Sequence, residues 1–216
     1  MKLPKSFKQV TVEQYQRIYP IYQKIEAEKD PIVIASDWCR IISILTTLKP
    51  NEVEELPIDK LKAIIKSLNW LVNGNIKPNK RKYLFVKGHL HRAKLEAKQF
   101  NTAQYVEIKT FLSRGNWISE MHNILATIYS PLSWKGFKHD GVSHPERAEA
   151  FKQVSVASVY PTVFFYSVQF KDSMKRIQEY GLKIAKEKQK EIDQLLALTL
   201  SQVLENIGDG TARSTN

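Results

Sequence analysis

The sequence predicts a mainly α-helical protein, with two related helical units, a small β-hairpin between them and a long C-terminal helix. Three observations predict this. Apolar residues recur at three- and four-residue spacing over most of the chain, which indicates amphipathic helices. A segment around Lys87-Gly88 alternates as a hairpin does, and residues 171–207 are proline-free with a helical stripe. The predicted boundaries are 1–76, 77–99, 100–170, 171–207 and, for a flexible tail, 208–216.

The first unit opens with a helix start. Thr11 and Gln14 have the spacing of a capping box, and apolar residues follow at helical intervals. Pro20 lies inside this pattern and is expected to kink or split the helix. Further helices are predicted over about 36–48 and 57–72.

The second unit follows a predicted hairpin at 82–97. Asn101 or Thr102 can cap a helix that runs through Leu112. Another helix is predicted from about residue 117 to residue 129, where Pro131 stops it. A loop then leads to a helix that Pro145 opens in its first turn, where a missing amide costs little.

The proposed relation between the two units depends on a short repeat. Residues 44–50 and 124–131 share an Ile-Leu-x-Thr pattern that ends in proline, and a tryptophan, Trp38 or Trp117, precedes each. The same order of matches in both halves indicates an internal duplication. Chance similarity between amphipathic helices is the alternative.

The C-terminal segment predicts a partner-binding helix. Its apolar stripe needs another subunit or another protein to cover it if the helix is continuous. A turn at Gly181 that folds both pieces back on the core is the alternative. The predicted interface residues are Ile177, Ile184, Ile192, Leu195, Leu196, Val203 and Leu204.

The charge is concentrated in one segment. The chain has 33 Lys and Arg against 22 Asp and Glu, a net charge of +11. Residues 77–98 contain a single acid, Glu96, and interleaved aromatics such as Tyr83 and Phe85. A solvated edge that discourages sheet pairing, a dock for an acidic protein and a nucleic-acid site all fit this composition. The candidate binding residues are Lys80, Arg81, Lys82, Lys87, Arg92, Lys94 and Lys98.

No enzyme signature appears in the sequence. Phosphate-binding, dinucleotide, zinc and serine-elbow motifs are absent. His89 and His91 could share a strand face, but no further ligands at metal-site spacing accompany them. His139-Asp140 and His144 with Glu146 lack a nearby nucleophile signature, and the single cysteine, Cys39, is expected to be a packing residue. We therefore predict no catalytic residues, no metal and no cofactor.

Several motifs resemble small tail-region proteins of tailed bacteriophages, which are tail assembly chaperone-like proteins or tail and baseplate components. The matching segments lie within residues 3–170: Leu3–Phe7, Thr11–Tyr15, Ile41–Leu45, Glu54–Ile58, Asn116-Trp117, Met121–Ala126, Tyr129–Pro131 and Glu146–Glu149. The resemblance implies a non-enzymatic structural or assembly role. The long helix from Lys171 and the very basic hairpin depart from the pattern, which leaves open a transient chaperone or a permanent virion part.

The predicted function is therefore that of a phage virion or tail-assembly protein acting through protein–protein contacts. A nucleic-acid-binding accessory protein that uses residues 77–98 is the alternative. Expected partners are other virion or tail subunits, with a second copy of the chain and packaged DNA as further possibilities, and no membrane. The expected location is the host cytoplasm during assembly or the virion.

Overall fold

The structure is a computed structural model that describes residues 2–74, 76, 80–96, 99–133, 136–137 and 142–211. It confirms a mainly α-helical fold with a small β element. The helices are α1 (Val12–Ala27), α2 (Pro31–Leu45), α3 (Pro50–Glu54), α4 (Ile58–Ser67), α5 (Trp70–Asn73), α6 (Thr102–Ser113), α7 (Met121–Ile128), α8 (His144–Lys152) and α9 (Val156–Thr211). The strands are β1 (Tyr83–Val86), β2 (His89–Ala93), β3 (Tyr129–Ser133) and β4 (Gly136–Phe137).

The chain divides into two compact units, Met1–Val168 and Gln169–Asn216. Elements from before and after the hairpin pack together in the first unit, where α1 contacts α7 and α8. The duplication of two helical units stays a prediction. The two segments that suggested it continue differently, since residues after α2 enter α3 and those after α7 enter β3.

Local capping signals position α1, α6 and α8 as predicted. Thr11 and Gln14 form the predicted capping box, and α1 continues through Pro20 without splitting. The start of α2 was predicted too late: it begins at Pro31, because the Asp30 side chain accepts a hydrogen bond from the Ile32 amide and proline suits the first turn.

The predicted hairpin is confirmed and belongs to a larger sheet of order β1-β2-β3-β4, all antiparallel. The helix predicted to end at residue 129 ends at Ile128, and β3 follows directly. Lys94 N–H donates to Ile128 O, so the backbone hydrogen-bonding groups of residues 128 and 130 point toward β2. The backbone nitrogen of Pro131 therefore points away from β2. Its missing N–H removes no hydrogen bond to β2, which explains why the strand tolerates proline there.

The core of the first unit lies between α7, α8, the sheet and the start of α9. Phe151 is fully buried, and its ring lies 5.7 Å from the rings of both His91 and Tyr129. The Tyr129 hydroxyl donates to Arg81 O at 2.6 Å, and burial raises its pKa to about 12. The Tyr166 hydroxyl donates to Lys94 O. These contacts fasten the hairpin to the helices.

Helix α9 starts in the core and continues into the second unit. Its first turns bury Val156, Val159 and Val163, and Pro161 is accommodated within the helix. The helix is continuous through Gly181, so the alternative of a turn there is wrong. It reaches Thr211, beyond its predicted end at Ile207, and residues 212–216 of the predicted tail lie outside the described residues.

Candidate interaction surfaces

The hairpin turn sets the geometry of the basic segment. Lys87 and Gly88 both have positive φ, at 46° and 79°, as a two-residue type I′ turn requires. Leu84 and Val86 then point into the core, while Tyr83 and Phe85 point outward. In β2, His91 and Ala93 are buried and Arg92 lies on the outer face. The side chains of this sheet therefore divide into a core face and an outer face.

Several of the predicted binding cations interact with other side chains of the protein, and Lys82 Nζ lies 5.6 Å from the centroid of the Tyr83 ring. Lys80 Nζ lies 3.3 Å from the centroid of the Phe165 ring, a close cation–π contact. Lys94 Nζ donates to Gln104 Oε1 at 2.6 Å, and burial together with Arg147 lowers the pKa of Lys94. The side chains of Lys80 and Lys94 therefore pack against neighbouring residues in addition to contributing positive charge.

Burial does not separate the other predicted cations from Lys80 and Lys94, because Lys80 is exposed and Lys94 is half-buried. Arg81, Lys82 and Lys87 are exposed, and Arg92 is half-buried on the outer face, paired in register with Tyr83. Lys98 lies outside the described residues. The structure therefore places Arg81, Lys82 and Arg92 at one end of the hairpin and Lys87 at its turn.

The outer face of the hairpin is apolar as well as cationic. Phe85 is 73% exposed, and its register partner Leu90 is 41% exposed. The neighbouring pair on the same face is Tyr83 and Arg92. Aromatic rings with an adjacent guanidinium are typical of both protein-binding and base-stacking surfaces.

The predicted stripe on α9 is exposed where its side chains are described. Ile184, Ile192, Leu195 and Leu196 are 41–64% exposed and, at about 100° per residue, fall within an arc of about 120°. Ile177, Val203 and Leu204 belong to the helix, but their side chains lie outside the described ones. Leu182, which is not among the predicted interface residues, is 64% exposed and lies about 40° beyond Leu196, at the border of this arc.

A polar cluster that the sequence did not predict joins α6, α7 and α8. The buried Thr127 hydroxyl lies 2.9 Å from Glu107 Oε2 and 3.1 Å from His144 Nε2. Its hydroxyl also lies 3.1 Å from Asn123 O, inside α7. Because the Thr127 hydroxyl is buried, a substrate in solvent cannot reach it. Its hydrogen bonds to side chains of α6 and α8 stabilise the packing of the three helices.

The acid–base candidates have separate partners. His144 lies beside Glu107 and stacks on Phe111, whereas Glu146 accepts hydrogen bonds from Ser143 and caps α8. His139 and Asp140 lie outside the described residues. His144 belongs to the first turn of α8 and not to a loop, because Ser143 forms a capping box.

The histidines considered as metal ligands and the single cysteine lie where packing in the fold requires them. His91 is buried against Phe151, while His89 is exposed near the turn. Cys39 is buried in α2, and burial raises the pKa of its thiol. Within the described residues, no group of three His, Cys, Asp or Glu side chains lies close enough to hold a metal ion. No helix in that part of the chain has a run long and apolar enough to cross a bilayer.

His122 makes the first unit sensitive to acid. Burial and Lys152 lower its pKa, although Glu120 and Glu149 act in the opposite direction. The Gln16 side-chain amide nitrogen lies 2.9 Å from His122 Nδ1. An amide nitrogen can only donate, so Nδ1 accepts the hydrogen bond and the imidazole ring is neutral. Below about pH 6.5 this histidine binds a proton more readily in the unfolded chain than in the folded one. The free energy of unfolding therefore decreases as the pH is lowered through this range.

We expect the urea midpoint to drop between about pH 7 and 5, and to drop less in His122→Gln, which keeps an acceptor for the Gln16 amide. Equal pH dependence of the two proteins in urea titrations would contradict this assignment.

A comparison with protein-family models, curated proteins and solved structures gives no match for this chain.

Proposed function

We propose that this chain is a non-enzymatic virion or tail-assembly protein of a tailed bacteriophage, acting through protein–protein contacts. The observation that carries the proposal is the exposed apolar stripe of α9, formed by Ile184, Ile192, Leu195 and Leu196. Such a stripe is wide enough for a partner helix or groove. The resemblance of residues 3–170 to phage tail-region proteins supports the assignment to phage assembly.

The role needs no catalytic centre. The polar side chains that could suggest chemistry, Glu107, Thr127 and His144, bond one another between helices. The partners are other virion or tail subunits, met in the host cytoplasm or in the virion.

Substitutions on α9 test the stripe. Changing Ile184 and Leu195 together to aspartate puts charge into the proposed contact, where each buried side chain contributes about 1.5–3 kcal/mol. We expect co-purification with tail-region subunits to fall more than tenfold. Gln194→Asp is the control, because Gln194 is exposed and lies about 80° outside the arc of the stripe. Equal losses in control and double variant, or no loss in either, would count against the stripe.

Nucleic-acid binding is the second candidate, favoured by the outer face of the hairpin. Exposed Tyr83 and Phe85 lie beside Arg81, Lys82 and Arg92, a combination that can stack on bases and contact phosphates.

This alternative predicts a steep salt dependence. Changing Arg81, Lys82 and Arg92 to glutamine should reduce the slope of log affinity against log salt by roughly 0.7–0.9 for each phosphate that the protein no longer neutralises. Lys94→Gln should change the slope less, because its ammonium donates to Gln104. Fluorescence anisotropy with duplex and single-stranded DNA measures both. Absent or salt-insensitive binding would eliminate this function.

A further inference from the structure

The outer edge of β1 leaves hydrogen-bonding groups open. Ala93 N–H donates to Lys82 O, which sets the phase of the β1–β2 ladder. Bonded and non-bonded pairs alternate along an antiparallel ladder, so Leu84 and Val86 bond to β2. The backbone N–H and C=O groups of Tyr83 and Phe85 therefore point away from β2. No described strand pairs with that side, because β1 is at the end of the sheet order.

A groove of about 400 Å³ runs along this edge. Arg81 and residues 83–87 form one wall, and Ala150, Gln153, Val154 and Ser158 lie on the other, at the junction of α8 and α9. At about 3.3 Å per residue, this wall is about 20 Å long, which fits an extended peptide of about six residues.

The strand lacks two of the usual protections of an exposed edge, an internal charge and a proline. Its four residues, Tyr-Leu-Phe-Val, contain neither a charge nor a proline. Proteins commonly block open edges with such residues, because an unprotected edge pairs with another chain. The cations of this segment flank the strand instead of interrupting it.

The charge around the groove selects the occupant. Arg81 lines one end, with Lys80 and Lys82 beside it in sequence, and none of the described lining residues is acidic. At the other end, Lys87 has Glu146 and Glu149 for neighbours. Hydrogen bonds from Ser143 lower the pKa of Glu146 and a hydrogen bond from Lys152 lowers that of Glu149, and the Lys87 charge adds to both shifts. Anionic groups are therefore favoured at the Arg81 end.

We infer that the open edge of β1 binds an extended acidic segment of a partner protein, which joins the sheet as an added strand with its carboxylates beside Arg81. Main-chain bonds to Tyr83 and Phe85 hold the segment, and its alternate apolar side chains pack on Leu84, Val86 and the α8–α9 junction. This inference depends on the groove along β1 and its charges, and not on the exposed stripe of α9 or on the phage assignment.

Amide exchange on the full chain tests the strand addition. The probe is the peptide acetyl-Asp-Glu-Val-Thr-Val-Thr-Val-Asp-Glu-amide, whose acidic ends suit either strand direction. At about 1 mM peptide, we expect slower exchange at the Tyr83 and Phe85 amides and little change at Leu84 and Val86, which already bond to β2. A peptide with lysine in place of each acid should bind more weakly. No protection at Tyr83 and Phe85, or equal protection by the lysine peptide, overturns the inference.

A matched pair of substitutions isolates the backbone contact. Phe85→Ala and Phe85→Pro both remove the ring, but only proline removes the outward N–H while sparing the bonds to β2. We expect Phe85→Pro to bind the acidic peptide roughly three- to tenfold more weakly than Phe85→Ala. Equal affinities overturn the inference.

Charge reversal gives a result that does not depend on proline being tolerated. Arg81→Glu should weaken binding of the acidic peptide and strengthen binding of the lysine peptide. Lys62→Glu, at an exposed position of α4, is the control and should change neither affinity. A loss of binding that is the same in both variants, or absent in both, contradicts the predicted position of the carboxylates.

Discussion

Ending the chain after Tyr180 is expected to abolish co-assembly with tail-region subunits while the first unit stays folded. The truncation keeps all of Met1–Val168, the compact unit that contains the buried core. It removes Ile184, Ile192, Leu195 and Leu196 together, and with them the whole described stripe. Because the proposed contact is made by this face, no residual affinity should survive its removal.

Two measurements on the truncated chain separate folding from assembly. Near-ultraviolet circular dichroism should retain the signal of the packed aromatic residues, and co-purification should fall to the background level. A truncated chain that still assembles would contradict the role of α9. A chain that loses its aromatic signal would show that the first unit needs the rest of the helix.

Replacing Phe151 with alanine is expected to destabilise the first unit by about 3–5 kcal/mol. Phe151 is fully buried, and its ring contacts His91 from β2 and Tyr129 from β3. The cavity would therefore open between α8 and two strands. A typical domain is stable by only about 5–15 kcal/mol, so much of the unit's margin would be lost.

Phe85→Ala is the matched control for this substitution, because it removes the same side chain from a position that is 73% exposed. Its cost should be within about 0.5 kcal/mol. Urea unfolding followed by circular dichroism measures both free energies. Similar values for the two variants would show that the sheet does not pack on α8 as described.

Local signals explain what could be predicted of the fold. The capping box of Thr11 and Gln14, the Lys87-Gly88 turn and Pro145 at the start of α8 each act within a few residues. The start of α2 was missed because β-branched residues follow Pro31, while the Asp30 cap is a single side chain. Local chemistry therefore specified the type of these elements better than their ends.

Long-range contacts explain what could not be predicted. Strand β3 forms because residues 129–133 meet the second edge of β2, a pairing across more than thirty positions of the chain. The Glu107–Thr127–His144 cluster likewise joins three separate helices. Contacts at such sequence separations leave no helical or strand periodicity in the sequence that would indicate them.

For the basic segment, residues 77–98, the sequence likewise predicts the composition of the surface but not its long-range contacts. Composition predicted its cations as a cluster, but it could not show that Lys80 contacts the Phe165 ring in α9 while Arg81 lines the groove beside β1. The open edge of β1 was also hidden, because it depends on which backbone groups β2 occupies. In contrast, the α9 stripe followed from helical spacing alone.

The solution mass of the purified full chain, measured by light scattering at low and high salt with and without duplex DNA, tests assembly through protein contacts most directly. The account predicts a salt-resistant oligomer, or a monomer that is unstable alone and is stabilised by a tail-region subunit. DNA should not change the mass. A stable monomer that gains mass only with DNA and only at low salt would contradict the assembly role and support nucleic-acid binding.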